Sequence, residues 1–281
     1  MPYEVTVEPD QQFATEGSQP LLWDIYRPVD APGPLPVTLI LHGGGWRRGD
    51  RSRMAEAATG LAARGYLAIA VGYRLLTDEV YWPAPVHDVK TAVRTVRARA
   101  PELGANPDQI ALVGYSAGAH VALLAAATAG SASVFAGGDR AYDSQSEVVG
   151  AVAAFFPPVT KERIGSMLDL KPNAAAQAAP LEYASRGVLP PVLFLHGTGD
   201  PLVPHGPHSL AMFDVLRDAG SVTDLRLYHD LPHEFVRLPG MTEVTVHDVA
   251  SFLDRHLVHP EEFTTALDAA KAEWAARAAA R

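Results

Sequence analysis

Gly114-Tyr115-Ser116-Ala117-Gly118 sets a serine among small residues, directly behind the apolar run QIALVG (109–114) and ahead of an alanine-rich helical pattern. At such a strand-to-helix corner the serine hydroxyl is pushed outward. Small neighbours let strand and helix approach, and the helix N-terminus offers free N–H groups and a favourable potential for an anion. The chemistry this serves is nucleophilic attack on a carbonyl. A serine is a weak nucleophile until a base takes its proton, so the rest of the chain must supply one.

There are eleven histidines. His42 lies in a glycine motif, His120 on the helix after Ser116, His196 at the end of a strand run and His229 in or at the end of another; His247 and His256 sit on a surface-type helix. These read as structural. His233 falls in DLPHEF, a loop directly after the last strand run, and is the expected base. A base needs an acid to hold its tautomer and stabilise the imidazolium. Asp200, in HGTGDPLVP (196–204), again follows a strand run and fills that role. Attack on a carbonyl builds charge on oxygen, which backbone amides stabilise. In HGGGW (42–46) consecutive glycines let the main chain turn its amides toward a site with no Cβ in the way. Gly44 and Gly45, with the amide of Ala117, are the expected oxyanion hole.

The elements that must hold these residues are legible as a pattern. Continuous apolar runs at VTLIL (37–41), YLAIAV (66–71), QIALVG (109–114), VVGAVAAFF (148–156) and PVLFLHG (191–197) predict strands buried on both faces. Residues 3–7 and 21–26 alternate as strands do, and DLRLYHD (224–230) is another strand. Helical spacing marks 51–64, 84–100, 117–129, 206–219 and 242–257. This alternation predicts an α/β fold with a mostly parallel sheet, whose C-terminal edge collects the loops bearing Ser116, Asp200 and His233. The domain runs over 1–259. Residues 157–189 break the rhythm and are expected to insert over that edge as a small cap. Residues 260–281, with Phe263, Leu267 and Trp274 at helical spacing, are expected to form a last helix packed on the body.

Composition narrows the partners. The 281-residue chain is nearly half apolar, enough for a sizeable core. A net charge of −9 argues against nucleic acid and anionic membrane as partners. Without cysteine there are no disulfides, thiolate nucleophiles or cysteine-ligated metals. No run of about 18 apolar residues and no basic, apolar leader is present, so a soluble, cytoplasmic protein is the expectation. His205-x-x-His208 and His229-x3-His233 have a superficially metal-like spacing, but no HExxH occurs and the first pair encloses glycine and proline. No metal and no cofactor are expected.

Taken in order, HGGGW, YRL (73–75), GYSAGAH (114–120), GTGDPLVP (197–204) and the HEF loop resemble the α/β-hydrolase superfamily, most closely the hormone-sensitive-lipase-like carboxylesterases and the related feruloyl-esterase and kynurenine-formamidase branches. The resemblance spans roughly residues 20 to 257. It implies the α/β-hydrolase fold with an eight-stranded sheet and helices on both faces, and the triad Ser116, Asp200, His233 in that chain order. One departure stands out. Many relatives carry glycine after the catalytic histidine; here it is Glu234, whose carboxylate could raise the pKa of His233 or disfavour anionic substrates.

The expected function is hydrolysis of a carboxylic ester of a small or aromatic substrate through an acyl-enzyme. The same groups would serve activated amides such as N-formyl-arylamines, or lactones. A non-catalytic binding protein on the same fold is the rival of a different class. Trp46, Tyr115 and Trp82 are the expected pocket residues. The partner is a small-molecule ester, and a homodimer is left open.

Overall fold

In the computed structural model, which describes residues 2–279 apart from 132 and 188, eight strands form one sheet in the order β1-β2-β4-β3-β5-β6-β7-β8. The strands are β1 (Val5–Glu16), β2 (Gln19–Pro28), β3 (Leu35–Leu41), β4 (Leu67–Val71), β5 (Ala105–Tyr115), β6 (Ala151–Phe155), β7 (Val192–Gly197) and β8 (Thr223–Tyr228). Strand β2 runs antiparallel to both its neighbours, and every pairing from β4 through β8 is parallel.

Parallel strands are covered on both faces, so their side chains sort by parity. Leu39 and Leu41 of β3 and Leu112 of β5 pack with helices α2 (Ala84–Ala98) and α4 (Ala117–Ala127), between which the chain forms the short α3 (Ala100–Leu103), while Ile40 and Val113 pack on α1 (Ala55–Ala62) and on Met241–Leu253. The continuous apolar runs of the sequence are this double burial. Strand β1 is longer than its apolar residues suggest. Most of its side chains are exposed, and it is bulged between Glu8 and Gln11 and again between Gln12 and Ala14, where Phe13 stacks on Trp23 at 4.8 Å.

After β6 come three short helices, α5 (Lys161–Leu168), α6 (Pro172–Gln177) and α7 (Leu181–Ala184), where the sequence shows no strand. With Ala178, the residue after α6, they bury Ile164, Leu168 and Ala184 into the main core. The C-terminal residues do form a helix, Pro260–Ala279, but the expectation that it packs on the body is not met. Leu267 is 40% and Trp274 69% exposed, and Phe263 alone is half-buried, against His256 and Arg255. Its large apolar residues are few and its remaining apolar surface is mostly alanine, so little drives docking. No described helix is long and apolar enough to cross a membrane.

Candidate active site

Ser116 caps the junction between β5 and α4 with φ 53° and ψ −114°. That left-handed backbone is costly for a residue with a Cβ and persists where the surroundings hold it. The surroundings here are tight. A Cβ on Gly118 would lie 2.4 Å from the Leu41 carbonyl oxygen, so α4 can seat against the end of β3 only with glycine at 118. The Ser116 amide donates to the Phe155 carbonyl at 2.9 Å, tying the corner to β6.

His233 follows β8 and Asp200 follows β7, both at the edge where β5 ends. Nε2 of His233 lies 3.0 Å from Oγ of Ser116, and Nδ1 lies 2.6 Å from Oδ2 of Asp200. A carboxylate beside Nδ1 makes that nitrogen the donor, which leaves Nε2 free to accept the serine proton. Asp200 is 5% exposed. Burial alone would raise its pKa; hydrogen bonds from His196, His233 and the Val203 amide outweigh it and hold the carboxyl well below the usual range. Its Oδ1 accepts the amides of Leu202 at 2.8 Å and Val203 at 2.9 Å.

The glycine loop follows β3. Gly44 has φ +127°, and a Cβ there would fall 2.0 Å from the Arg48 carbonyl oxygen; the Gly44 carbonyl in turn accepts the Arg48 amide at 3.1 Å. Gly45 has φ +61° with open space where a Cβ would stand. Among the described residues, the amides of Gly44, Gly45 and Ala117 donate to no protein acceptor.

A cleft of about 80 Å³ opens beside Ser116, with Gly43, Met54, Tyr115, Phe156, Val236 and Thr242 in its walls. Of the expected pocket residues, Tyr115 lines this cleft. Trp46 and Trp82 do not, which corrects the expected pocket. Trp46 is 1% exposed and donates its indole N–H to Nδ1 of His120 at 3.1 Å. Trp82 tilts over the same imidazole at 5.2 Å and meets Phe135 edge-on. These tryptophans are packing residues around a buried histidine. Nε2 of His120 donates to the Ala178 carbonyl at 2.7 Å, which fastens the 157–189 segment to α4. Burial pushes His120 down to about 4, so the ring stays neutral.

Sequence reasoning missed Phe156, Met54 and Arg53 in the cleft, and His196 beside Asp200. Phe156 ends the β6 run at the same sheet edge and lies 4.6 Å from the His233 ring. His196 stands four residues before Asp200 in one turn, a spacing visible in HGTGD. Glu234 also has a structural reason. Its φ is +54°, the conformation that glycine adopts at no steric cost. Its carboxylate lies 3.3 Å from Arg53 and 3.3 Å from Arg237 on the cleft wall, so its charge is matched by two guanidinium groups. His208, of the metal-like pair, accepts the Val159 amide at 3.3 Å, and no described group of three His, Asp or Glu is placed to hold a metal ion.

Comparison with known proteins agrees with this layout. The BD-FAE family model matches residues 23–214. Esterase LipC of Mycobacterium tuberculosis is 30% identical over 254 residues, covering 83% of this chain and 62% of that protein. Esterase LipQ of the same organism is 30% identical over 77% of this chain and 54% of its own length. The chain therefore spans little more than half the length of these relatives. Among solved structures, esterase 2 of Thermogutta terrifontis superposes with a TM-score of 0.75 at 25% identity, covering 90% of this chain and 91% of that one; its form phosphorylated by paraoxon superposes with a TM-score of 0.77. With the eight-stranded sheet, the serine corner and the glycine loop already in place, the match settles the classification: the chain belongs to the BD-FAE family and has the α/β-hydrolase fold.

Proposed function

We propose that this protein is a serine hydrolase that cleaves carboxylic esters through an acyl-enzyme on Ser116. The observation that carries this reading is the continuous relay from Oγ of Ser116 through the imidazole of His233 to Asp200, with contacts of 3.0 and 2.6 Å. His233 takes the serine proton as Oγ attacks the ester carbonyl. The resulting oxyanion is received by the amides of Gly44, Gly45 and Ala117, which have no other protein acceptor among the described residues. His233 then passes the proton to the leaving alcohol, and water repeats the steps to free the acid. Asp200, held ionised, keeps the imidazole in the tautomer both steps need and balances the imidazolium.

The small cleft favours a short acyl group. Esterase 2 of Thermogutta terrifontis, which has been solved with propionate bound and with butyrate bound, supports the same size class. The test is a panel of p-nitrophenyl acetate, butyrate and decanoate beside a lactone and an N-formyl-arylamine. Turnover highest on acetate or butyrate and abolished in a folded Ser116→Ala variant is expected. A preference for the formamide or lactone would move the substrate class, and no turnover of any member would leave a binding protein.

A further inference from the structure

We propose that His196 is a positioning residue for hydrolysis, a second imidazole that shares the carboxylate oxygen of Asp200 used by His233. This rests on the reading of Ser116, His233 and Asp200 as the reacting groups. Nε2 of His196 lies 2.7 Å from the Val203 carbonyl oxygen and 3.2 Å from Oδ2 of Asp200. A carbonyl oxygen only accepts, so Nε2 carries the hydrogen whether the ring is neutral or charged. Nδ1 lies 2.7 Å from Oγ of Ser209, a fully buried hydroxyl that donates to the neutral ring and locks this tautomer from the far side. The side chains of His196 and Asp200 are both completely buried, so no solvent competes for these hydrogen bonds.

Oδ2 of Asp200 thus takes two N–H donors, the short one from His233 and the longer, shared one from His196. With the Leu202 and Val203 amides on Oδ1, the carboxylate is held by four donors from both ends. Two consequences follow. The plane of the carboxylate is fixed against the His233 ring, and part of the charge on Oδ2 is drawn away from the imidazolium that forms during attack. Among the described residues, the other titratable and charged groups around this cluster are His205 and His208 from the segment after β7, Arg163 from α5, whose charge acts on His208, and His233 itself.

Three variants separate the donor from the ring that carries it. His196→Met removes the donor at similar bulk. His196→Gln keeps an N–H at about the same reach without a titratable ring. Ser209→Ala frees the tautomer alone. With p-nitrophenyl acetate, His196→Met is expected to lose about tenfold in kcat with KM little changed, the scale of one charge-assisted hydrogen bond rather than of the acid itself. The acid limb of its pH–rate profile moves to higher pH, because Oδ2 then holds the His233 proton more tightly. His196→Gln restores most of both, and Ser209→Ala falls between. Thermal unfolding of each variant reports the fold. A folded His196→Met enzyme with wild-type kcat and an unmoved acid limb overturns the proposal, as does a His196→Gln loss as large as that of Met. If His196→Met does not fold, the Ser209→Ala profile decides, an unmoved acid limb being the negative result. Ser116→Ala runs alongside. Turnover in that variant sinks the hydrolase reading itself, whereas a dead Ser116→Ala beside an unaffected His196→Met sinks only the role of His196.

Discussion

Gly44→Ala and Gly45→Ala add the same methyl group one residue apart, yet the structure sets very different costs for them. At 44 the new Cβ would sit 2.0 Å from the Arg48 carbonyl oxygen and 2.7 Å from its carbon, at a φ of +127°. Both obstructing atoms are backbone, so the loop has to move, carrying the Gly44 amide with it. Loss of one oxyanion donor costs on the order of 10²–10³ in kcat, about 2.7–4 kcal/mol. At 45 the methyl meets nothing within 4 Å, and the cost is the left-handed φ of +61° alone. That conformation costs about 1–2 kcal/mol for a residue with a Cβ. For a chain of this size it lowers Tm by roughly 2–4 °C per kcal/mol and leaves the Gly45 amide where it was. The assay is kcat on p-nitrophenyl acetate with a parallel melting curve. The expected result is a Gly44→Ala enzyme at least about 100-fold slower and a Gly45→Ala enzyme within a fewfold of the parent. A Gly44→Ala enzyme that keeps a third of parental kcat, or equal damage at both positions, would refute the oxyanion assignment.

Three further outcomes are expected. Ser116→Gly should be inactive yet more stable than Ser116→Ala, by about 1 kcal/mol or more, because only glycine takes φ 53° without strain; equal melting temperatures would contradict a strained corner. His120, lowered to about 4 by burial, binds no proton in the folded state between pH 6.5 and 4, while the unfolded chain does. Stability should therefore fall by about 3 kcal/mol as pH drops through that window and be insensitive to this group above it, measurable by urea titration at pH 7 and 4.5 against His120→Asn. Glu234→Gln releases Arg53 and Arg237 into the cleft, so hydrolysis of p-nitrophenyl hemisuccinate should rise severalfold relative to the neutral butyrate, and an unchanged ratio would show that neither guanidinium meets the substrate.

How much was legible in the sequence depends on the range of the forces involved. Runs such as VTLIL and QIALVG are apolar on both faces because helices cover both, and that pattern is local. Ser116, Asp200 and His233 could be read because each follows a strand run, and a parallel sheet brings such loops to one edge. Side-chain direction was not legible. Trp46 stands next to the glycine loop, but its backbone turns through φ +61° and its indole goes to His120 rather than to the cleft. The partners of Glu234 were out of reach too, since Arg53 lies 181 residues away across the cleft. The spacing of Phe263, Leu267 and Trp274 was read correctly as a helix and wrongly as a packed one, because a stripe on one helix says nothing about what faces it.

The nucleophile can be tested most directly by mass. Incubation with paraoxon, followed by peptide mass spectrometry, is expected to find one phosphoryl adduct per chain, on the peptide carrying Ser116, rising in step with loss of esterase activity and absent from Ser116→Ala. An adduct on any other residue that tracks the loss of activity, or full activity with Ser116 modified, would contradict a relay in which His233 and Asp200 activate that hydroxyl.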